Sequence, residues 1–203
     1  MNLLHVDSSI LGPASVSRGL SAIIVEAWKR KNRSSKVIYR DLAADPISHL
    51  NGSLLLASAI DASQHTPEII SELAVSAKAM AEFLAADVIV IGAPMYNFGI
   101  PSQLKAWIDR LAVTGKTFTY TPQGPKGLAG GKTVIVASSR GGYYGAGTPL
   151  AMIDHQENYL KSTFGFLGIT DIRFVRAEGV NISMEAKQQA IAAAEQEARK
   201  AAA

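Results

Sequence analysis

The segment Asp87-Val88-Ile89-Val90-Ile91-Gly92 constrains this chain more than any other. Four consecutive β-branched apolar residues favour extended backbone. No polar residue alternates with them, so both faces of the strand must be covered. That is the pattern of an interior strand in a parallel sheet. Parallel neighbours need a crossover of a dozen or more residues, usually a helix. The remainder of the 203-residue chain must therefore supply crossovers.

It does so from end to end. Leu3-Leu4-His5-Val6 reads as the first strand and Lys36-Val37-Ile38-Tyr39-Arg40 as the second. The run at 87 to 92 is the third, Thr133-Val134-Ile135-Val136-Ala137 the fourth and Ile172-Arg173-Phe174-Val175 the fifth. A helix with Leu20, Ile23, Ile24, Ala27 and Trp28 on one face follows the first strand. Residues 41 to 65 are irregular, with a short helix around Leu54 to Ala59. Thr66 as N-cap, Pro67 at the first helical position and Glu68 in the first turn open another helix. Its expected buried stripe is Ile69, Leu73, Ala77, Met80 and Leu84. Pro101 opens a helix whose apolar face is Leu104, Trp107, Ile108 and Leu111. Residues 114 to 131, rich in Gly, Pro and Thr, suit an excursion or hairpin carrying Phe118 and Tyr120. A helix is expected over roughly 149 to 165, and a last one from Ser183 into the alanine-rich end. Right-handed crossovers then predict a doubly wound α/β fold, a five-stranded parallel sheet in the order 2-1-3-4-5 with helices on both faces. No linker or repeat divides residues 1–203, so one domain is expected.

Composition narrows the chemistry. With no cysteine, disulfides, thiolate nucleophiles, cysteine-bound zinc and iron–sulfur clusters are excluded, and any redox centre must be brought in. The net charge is +3, but the basic residues are scattered. The densest group, Lys29-Arg30-Lys31 with Arg33, falls at a helix end, where cations complement the dipole. No nucleic-acid partner is expected. The opening Met1 to Asp7 has no basic leader and no apolar run reaches spanning length, so a cytoplasmic protein without a membrane partner is expected. His5, His49, His65 and His155 show no metal-ligand spacing, and neither a metal site nor a proton-transfer role is assigned to them.

Ligands of such sheets bind beyond the carboxyl ends of the strands, at the switch point of the topology. The loops after strands one, three and four should therefore carry the chemistry. The first, Asp7-Ser8-Ser9-Ile10-Leu11-Gly12-Pro13-Ala14-Ser15-Val16-Ser17-Arg18, brings four hydroxyls to a helix N-terminus. Hydroxyls, amides and dipole there suit a phosphate. The same serines would equally serve as ordinary helix caps. Neither a Walker loop nor a G-x-G-x-x-G turn is present. After strand three, Gly92-Ala93-Pro94-Met95-Tyr96-Asn97-Phe98-Gly99-Ile100-Pro101 places two aromatics, a thioether and an amide between rigid prolines. Such groups line planar conjugated ligands, though the aromatics could also pack beneath the loop. After strand four, Ser138-Ser139-Arg140-Gly141-Gly142-Tyr143-Tyr144-Gly145 carries a glycine pair that lets backbone amides approach a ligand.

Met95-Tyr96-Asn97-Phe98 with the Pro101 helix, Ser139-Arg140-Gly141-Gly142, Ser9 with Ser15-Val16-Ser17, and Phe166-Leu167-Gly168-Ile169-Thr170-Asp171 form four separate blocks. Together they resemble the bacterial FMN-dependent NADH:quinone oxidoreductase and azoreductase family, which is flavodoxin-like. The resemblance implies one non-covalent FMN per subunit, its phosphate held by Ser9, Ser15, Val16 and Ser17. Met95, Tyr96, Asn97 and Phe98 would run along the isoalloxazine, with the Asn97 backbone near N5. Ser139, Arg140, Gly141 and Gly142 would meet its pyrimidine side. It further implies NADH or NADPH as co-substrate, quinone and azo acceptors, and a homodimer whose partner closes the second flavin face. Phe118, Tyr120, Phe164 and Phe166 are candidates for that wall. Hydride transfer to a flavin needs no side-chain acid or base at the moment of transfer, so no catalytic side chain is expected, and one slot over the ring implies ping-pong turnover. Tyr143-Tyr144-Gly145-Ala146-Gly147 departs from the family pattern and leaves acceptor preference open.

Two other classes compete. An esterase with Ser8 as nucleophile would want a late Asp-x-x-His or a G-x-S-x-G elbow, and the sequence has neither. A one-electron carrier shares the fold, but such carriers are usually acidic, whereas this chain is net positive.

Overall fold

The computed structural model describes residues 1–201. Along the chain run β1 (Asn2–Asp7), α1 (Val16–Lys31), β2 (Lys36–Asp41), α2 (Gly52–Leu56), α3 (Pro67–Ala85) and β3 (Val88–Pro94). Then come α4 (Ser102–Asp109), β4 (Phe118–Thr121), β5 (Gly124–Gly127), β6 (Thr133–Ser139), α5 (His155–Phe166), β7 (Asp171–Ala177) and α6 (Met184–Ala201). Five strands pair in the order β2-β1-β3-β6-β7, and every pairing is parallel. Counting those five alone, the order is the expected 2-1-3-4-5. The excursion is an antiparallel hairpin of β4 and β5.

Alternation along the strands divides the core between the two faces. Leu4, Val6, Ile89, Ile91, Val134 and Val136 pack with Phe83 of α3, Trp107 of α4 and Phe164 of α5. Leu3, Val88, Val90, Ile135, Ala137 and Val175 pack with Leu20, Ile24 and Trp28 of α1 and with Ala194 and Ala198 of α6. All seven residues of β3 are buried, as its unbroken apolar run demands. At roughly 25 cal/mol per Å² of apolar surface removed from water, each fully buried large side chain here contributes about 1.5–3 kcal/mol.

Two helix expectations need correction. On α3 the buried residues are Ala79, Met80 and Phe83, while Ala77 and Leu84 face outward. The stretch from Ala77 to Ala86 is apolar almost throughout, so its sequence gives a period without a phase. Phe83 sets the phase by meeting the Trp107 ring edge-on at 6.2 Å. The helix expected from 149 starts at His155, with Asp154 as N-cap accepting from the Glu157 amide at 3.0 Å. Before it, Ala151–Ile153 is only a 3-10 turn, and the apolar Leu150 and Met152 are exposed.

The strands also run further at their carboxyl ends than the apolar runs suggested: β3 reaches Pro94, β6 Ser139 and β7 Ala177. This extension carries three loops to one common rim. No helix among the described residues is long and apolar enough to cross a membrane.

Candidate functional site

The loop after β1 divides its serines between two tasks. Ser8 is fully buried; its hydroxyl donates to the Gly92 carbonyl at 2.7 Å and its amide to the same oxygen at 3.1 Å. A hydroxyl so held presents no nucleophile. Ser15 caps α1, accepting from the Arg18 amide at 3.3 Å, and its oxygen lies 3.1 Å from that of Ser17. The Ser9 hydroxyl lies 3.2 Å from the Tyr96 hydroxyl and so links this loop to the next. Among the described residues, the Val16 and Ser17 amides have no acceptor. Three hydroxyls and two unclaimed helix-start amides are the kind of groups to which an anion can bond.

The one arginine on this turn is not free for an anion. Arg18 grips both carboxylate oxygens of Asp41, at 2.6 and 2.7 Å, and donates twice to the Ser9 carbonyl, at 3.1 and 2.8 Å. That hydrogen bonding holds the Asp41 carboxyl down at about 2. Asp7 is in register with Asp41 on the neighbouring strand. It accepts from Ser21 at 2.8 Å and from Tyr39 at 3.2 Å. Burial, with the Asp7 and Asp41 charges, pushes the Tyr39 phenol up to about 12. His5 touches the same Ser21 oxygen at 2.9 Å, a structural contact. Gly92 is required here, because any Cβ would overlap the Asp7 carboxylate. Sequence reading missed this network. Its signal was present: two acids ending adjacent strands, with one arginine a turn into the intervening helix.

After β3 the chain makes a closed two-residue turn. The Tyr96 amide donates to the Gly99 carbonyl and the Gly99 amide to the Tyr96 carbonyl, both at 3.0 Å. Asn97 (φ 48°) and Phe98 (φ 69°) both lie in the left-handed region, as a type I′ turn requires. Among the described residues no other non-glycine has positive φ. Asparagine suits that region, whereas a phenylalanine there costs about 1–2 kcal/mol. The turn is pinned at both ends. Met95 donates to the Ser139 carbonyl at 2.8 Å, and the His155 amide donates to the Phe98 carbonyl at 3.1 Å. The Asn97 and Phe98 amides keep no partner among the described residues, and the Phe98 ring is 45% exposed.

After β6, Gly141 and Gly142 likewise present amides without acceptors among the described residues, while their carbonyls accept from Asn181 and Gly179. Tyr144 lies over Gly142 and meets Phe98 edge-on at 6.2 Å. Arg140 differs from its neighbours. It is 1% exposed, and its side chain turns inward to Asp154, Glu157 and Glu178. Its own amide and carbonyl bond to Ala177 and Val180. The three loops thus form a continuous rim at the carboxyl ends of β1, β3 and β6, with Arg140 beneath it. Among the described residues no group of histidines and carboxylates is placed to hold a metal ion.

The family model for the flavodoxin-like fold, Flavodoxin_2, matches residues 1–202. An FMN-dependent NADH:quinone oxidoreductase from Bradyrhizobium sp. strain BTAi1 is 59% identical over 203 residues, covering 100% of each chain. Another from Sinorhizobium fredii is 58% identical over 195 residues, covering 96% of this chain and 94% of that one. The chain belongs to the flavodoxin-like family of FMN-dependent NADH:quinone oxidoreductases and azoreductases. Among solved structures, an azoreductase from Bacillus anthracis strain Sterne is 32% identical with a TM-score of 0.89, covering 100% of this chain and 98% of that one. An FMN-dependent NADH-azoreductase from the Ames Ancestor strain, in complex with FMN, is 26% identical with a TM-score of 0.90 over the same shares.

Within this flavodoxin-like chain, the aromatics proposed to close the second flavin face separate into two pairs. Phe118 and Phe164 are buried in the core and cannot form an outer wall. Tyr120 is 70% exposed and Phe166 37%. Two apart on β4, Phe118 and Tyr120 share one face of the hairpin and meet edge-on at 5.6 Å, Phe118 on the buried side and Tyr120 toward the open end. The hairpin itself lies against the turn after α5. Gly127 and Gly168 touch backbone to backbone, and a Cβ on Gly127 would overlap Gly168.

Proposed function

We propose that this chain holds FMN non-covalently along the rim and uses it to pass reducing equivalents from NADH or NADPH to quinones, and to cleave azo compounds reductively. The observation that carries this reading is the gathering of polar groups on a single edge: the unclaimed amides of Val16, Ser17, Asn97, Phe98, Gly141 and Gly142, beside the Ser9, Ser15 and Ser17 hydroxyls, which bond only to other hydroxyls and to backbone amides. This donor set fits FMN. A terminal phosphate suits the helix-start cradle, and a planar ring with polar edges suits two amide-bearing loops flanked by Met95, Tyr96 and Phe98. Bound FMN supplies the two-electron chemistry that no side chain here provides.

The chain's own part is orientation and electrostatics. The amides of Gly141 and Gly142 would donate to the pyrimidine edge of the bound ring. The pinned turn would hold the Asn97 backbone in one place along the ring. Nicotinamide and acceptor must each come within about 3–3.5 Å to react, so they use one slot in succession. A homodimer, with a second copy covering the outer face of the site, and a cytoplasmic location belong to the same proposal.

Purified protein should release a chromophore that chromatographs as FMN. Turnover of NADH with a quinone should give parallel double-reciprocal lines across acceptor concentrations. Recovery of FAD, or no flavin after incubation with excess FMN, overturns the reading; intersecting lines overturn the single slot.

A further inference from the structure

Arg140 stands in a loop whose other members offer backbone to a ligand, yet its guanidinium is buried. It lies 3.0 Å from Asp154, 2.5 Å from Glu157 and 3.2 Å from Glu178. Its Nε donates to the Ser138 hydroxyl at 3.0 Å and to the Gln156 side-chain oxygen at 3.1 Å. These partners belong to three elements. Asp154, Gln156 and Glu157 form the start of α5, Ser138 is the last residue but one of β6, and Glu178 follows β7.

Glu178 and the start of α5 each reach a ring loop. Glu178 also accepts from the Tyr144 amide at 2.9 Å and so ties down the far side of the Gly141–Gly142 loop. The α5 start donates the His155 amide to the Phe98 carbonyl at 3.1 Å, next to the strained turn. Gln156 reaches the Ala93 carbonyl at 2.9 Å, one residue before the end of β3. One guanidinium therefore sits at the junction of the turn at 97–98 and the glycine pair at 141–142, which are otherwise on separate strands. The cluster is balanced, since Arg176 and Lys161 also hold Glu157. Little net charge is left to act on a ligand directly.

We infer that Arg140 is a positioning residue for the flavin ring: it contacts no ligand and sets the spacing between the two amide-bearing loops through α5 and Glu178. This rests on the proposed placement of FMN. A planar five-donor fork is needed to reach three elements at once, and a lysine of equal charge cannot replace it.

The test compares Arg140→Lys with Arg110→Lys. Arg110 is a second buried arginine at the end of α4, donating to Ser76, Ser48 and Glu72. Both variants should melt lower than the native protein. Only Arg140→Lys should raise the Kd for FMN, by about tenfold or more, since small misplacements of positioning groups cost that much. Only it should alter the visible circular dichroism of bound FMN. Glu178→Ala, on a partly exposed residue, should weaken FMN in the same direction and decides the matter if Arg140→Lys does not fold. Equal losses of affinity in Arg110→Lys would make the effect one of general stability and overturn the inference. So would native affinity in both Arg140→Lys and Glu178→Ala. If Gly142→Val also bound FMN as the native protein does, the placement of the ring itself would fail.

Discussion

Ser17 is wholly buried and its hydroxyl is shared only with Ser15; with Ser15 as the donor of that pair, the Ser17 proton is left for an acceptor at the helix start. Ser17→Ala should weaken FMN by about 0.5–1.5 kcal/mol if the lost hydrogen bond is neutral, and by up to about 3 if it meets a charged phosphate. Fluorescence titration of the apoprotein reads this directly, and unchanged affinity would move the phosphate elsewhere in the loop. At Asn97 the side chain is exposed while the amide is unclaimed and φ is 48°. Asn97→Gly should keep FMN binding and turnover, because only the backbone conformation matters. Asn97→Val should cost about 1–2 kcal/mol in the left-handed region and lower occupancy. Equal behaviour of the two would refute a backbone role. Gly142 has an ordinary φ, and an added Cβ would meet only the Tyr144 ring, at 3.4 Å. Gly142→Val should therefore fold, with native far-ultraviolet dichroism, yet bind less flavin. The aromatic and amide content of the turn was legible in sequence, but its left-handed geometry was not, because an Asn-Phe pair does not specify a type I′ turn as Asn-Gly does. The inward turn of the Arg140 side chain was hidden for a different reason. Its carboxylate partners lie 14 to 38 residues further on, and no local pattern shows that they converge.

Among the elements, β1, β2 and the start of α1 are joined by one ion pair. Asp41 on β2 is held well below its ordinary value because Arg18 hydrogen-bonds it, and two backbone amides add to the effect. A depressed carboxyl contributes stability above its unfolded value and loses that contribution as pH falls through the folded one. Asp41→Asn should thus destabilise the protein by about 1–2 kcal/mol at neutral pH, since a hydrogen bond to a charged group is broken and its remaining geometry is partly exposed. In urea unfolding the gap between variant and native should stay constant down to about pH 4 and narrow toward pH 2. A gap independent of pH would mean that the Asp41 charge is not the cause. Element order and topology were readable because strand periods and helix caps are local signals: Thr66-Pro67 marks the start of α3 as expected. Phase and boundaries were not. They depend on tertiary partners, as Phe83 meeting Trp107 fixes α3, and Asp154 capping α5 overrides the apolar residues before it.

At the scale of the whole molecule, several large apolar side chains face outward from α2, the turn after it and α3: Leu55, Leu56, Ile60 and Ile70. Scattered apolar residues need no explanation, but a group on neighbouring elements is the face on which the proposed second copy would rest. Light scattering at micromolar concentration should give the mass of two chains. Leu55→Lys combined with Ile70→Lys should shift the protein toward monomer and lower turnover; a fully active monomer would refute an interfacial site. The backbone contact between Gly127 and Gly168 has a consequence of another kind. It clamps the base of the β4–β5 hairpin, with Leu128 and Ala129 donating to the Thr117 and Leu167 carbonyls, while the tip at Pro122 and Gln123 is held by its own turn. Doubling such a loop costs only about 0.6 kcal/mol of closure entropy. The base is therefore closed to variation and the tip open to it, and a lineage carrying this fold can lengthen or recompose that tip without disturbing the register beneath.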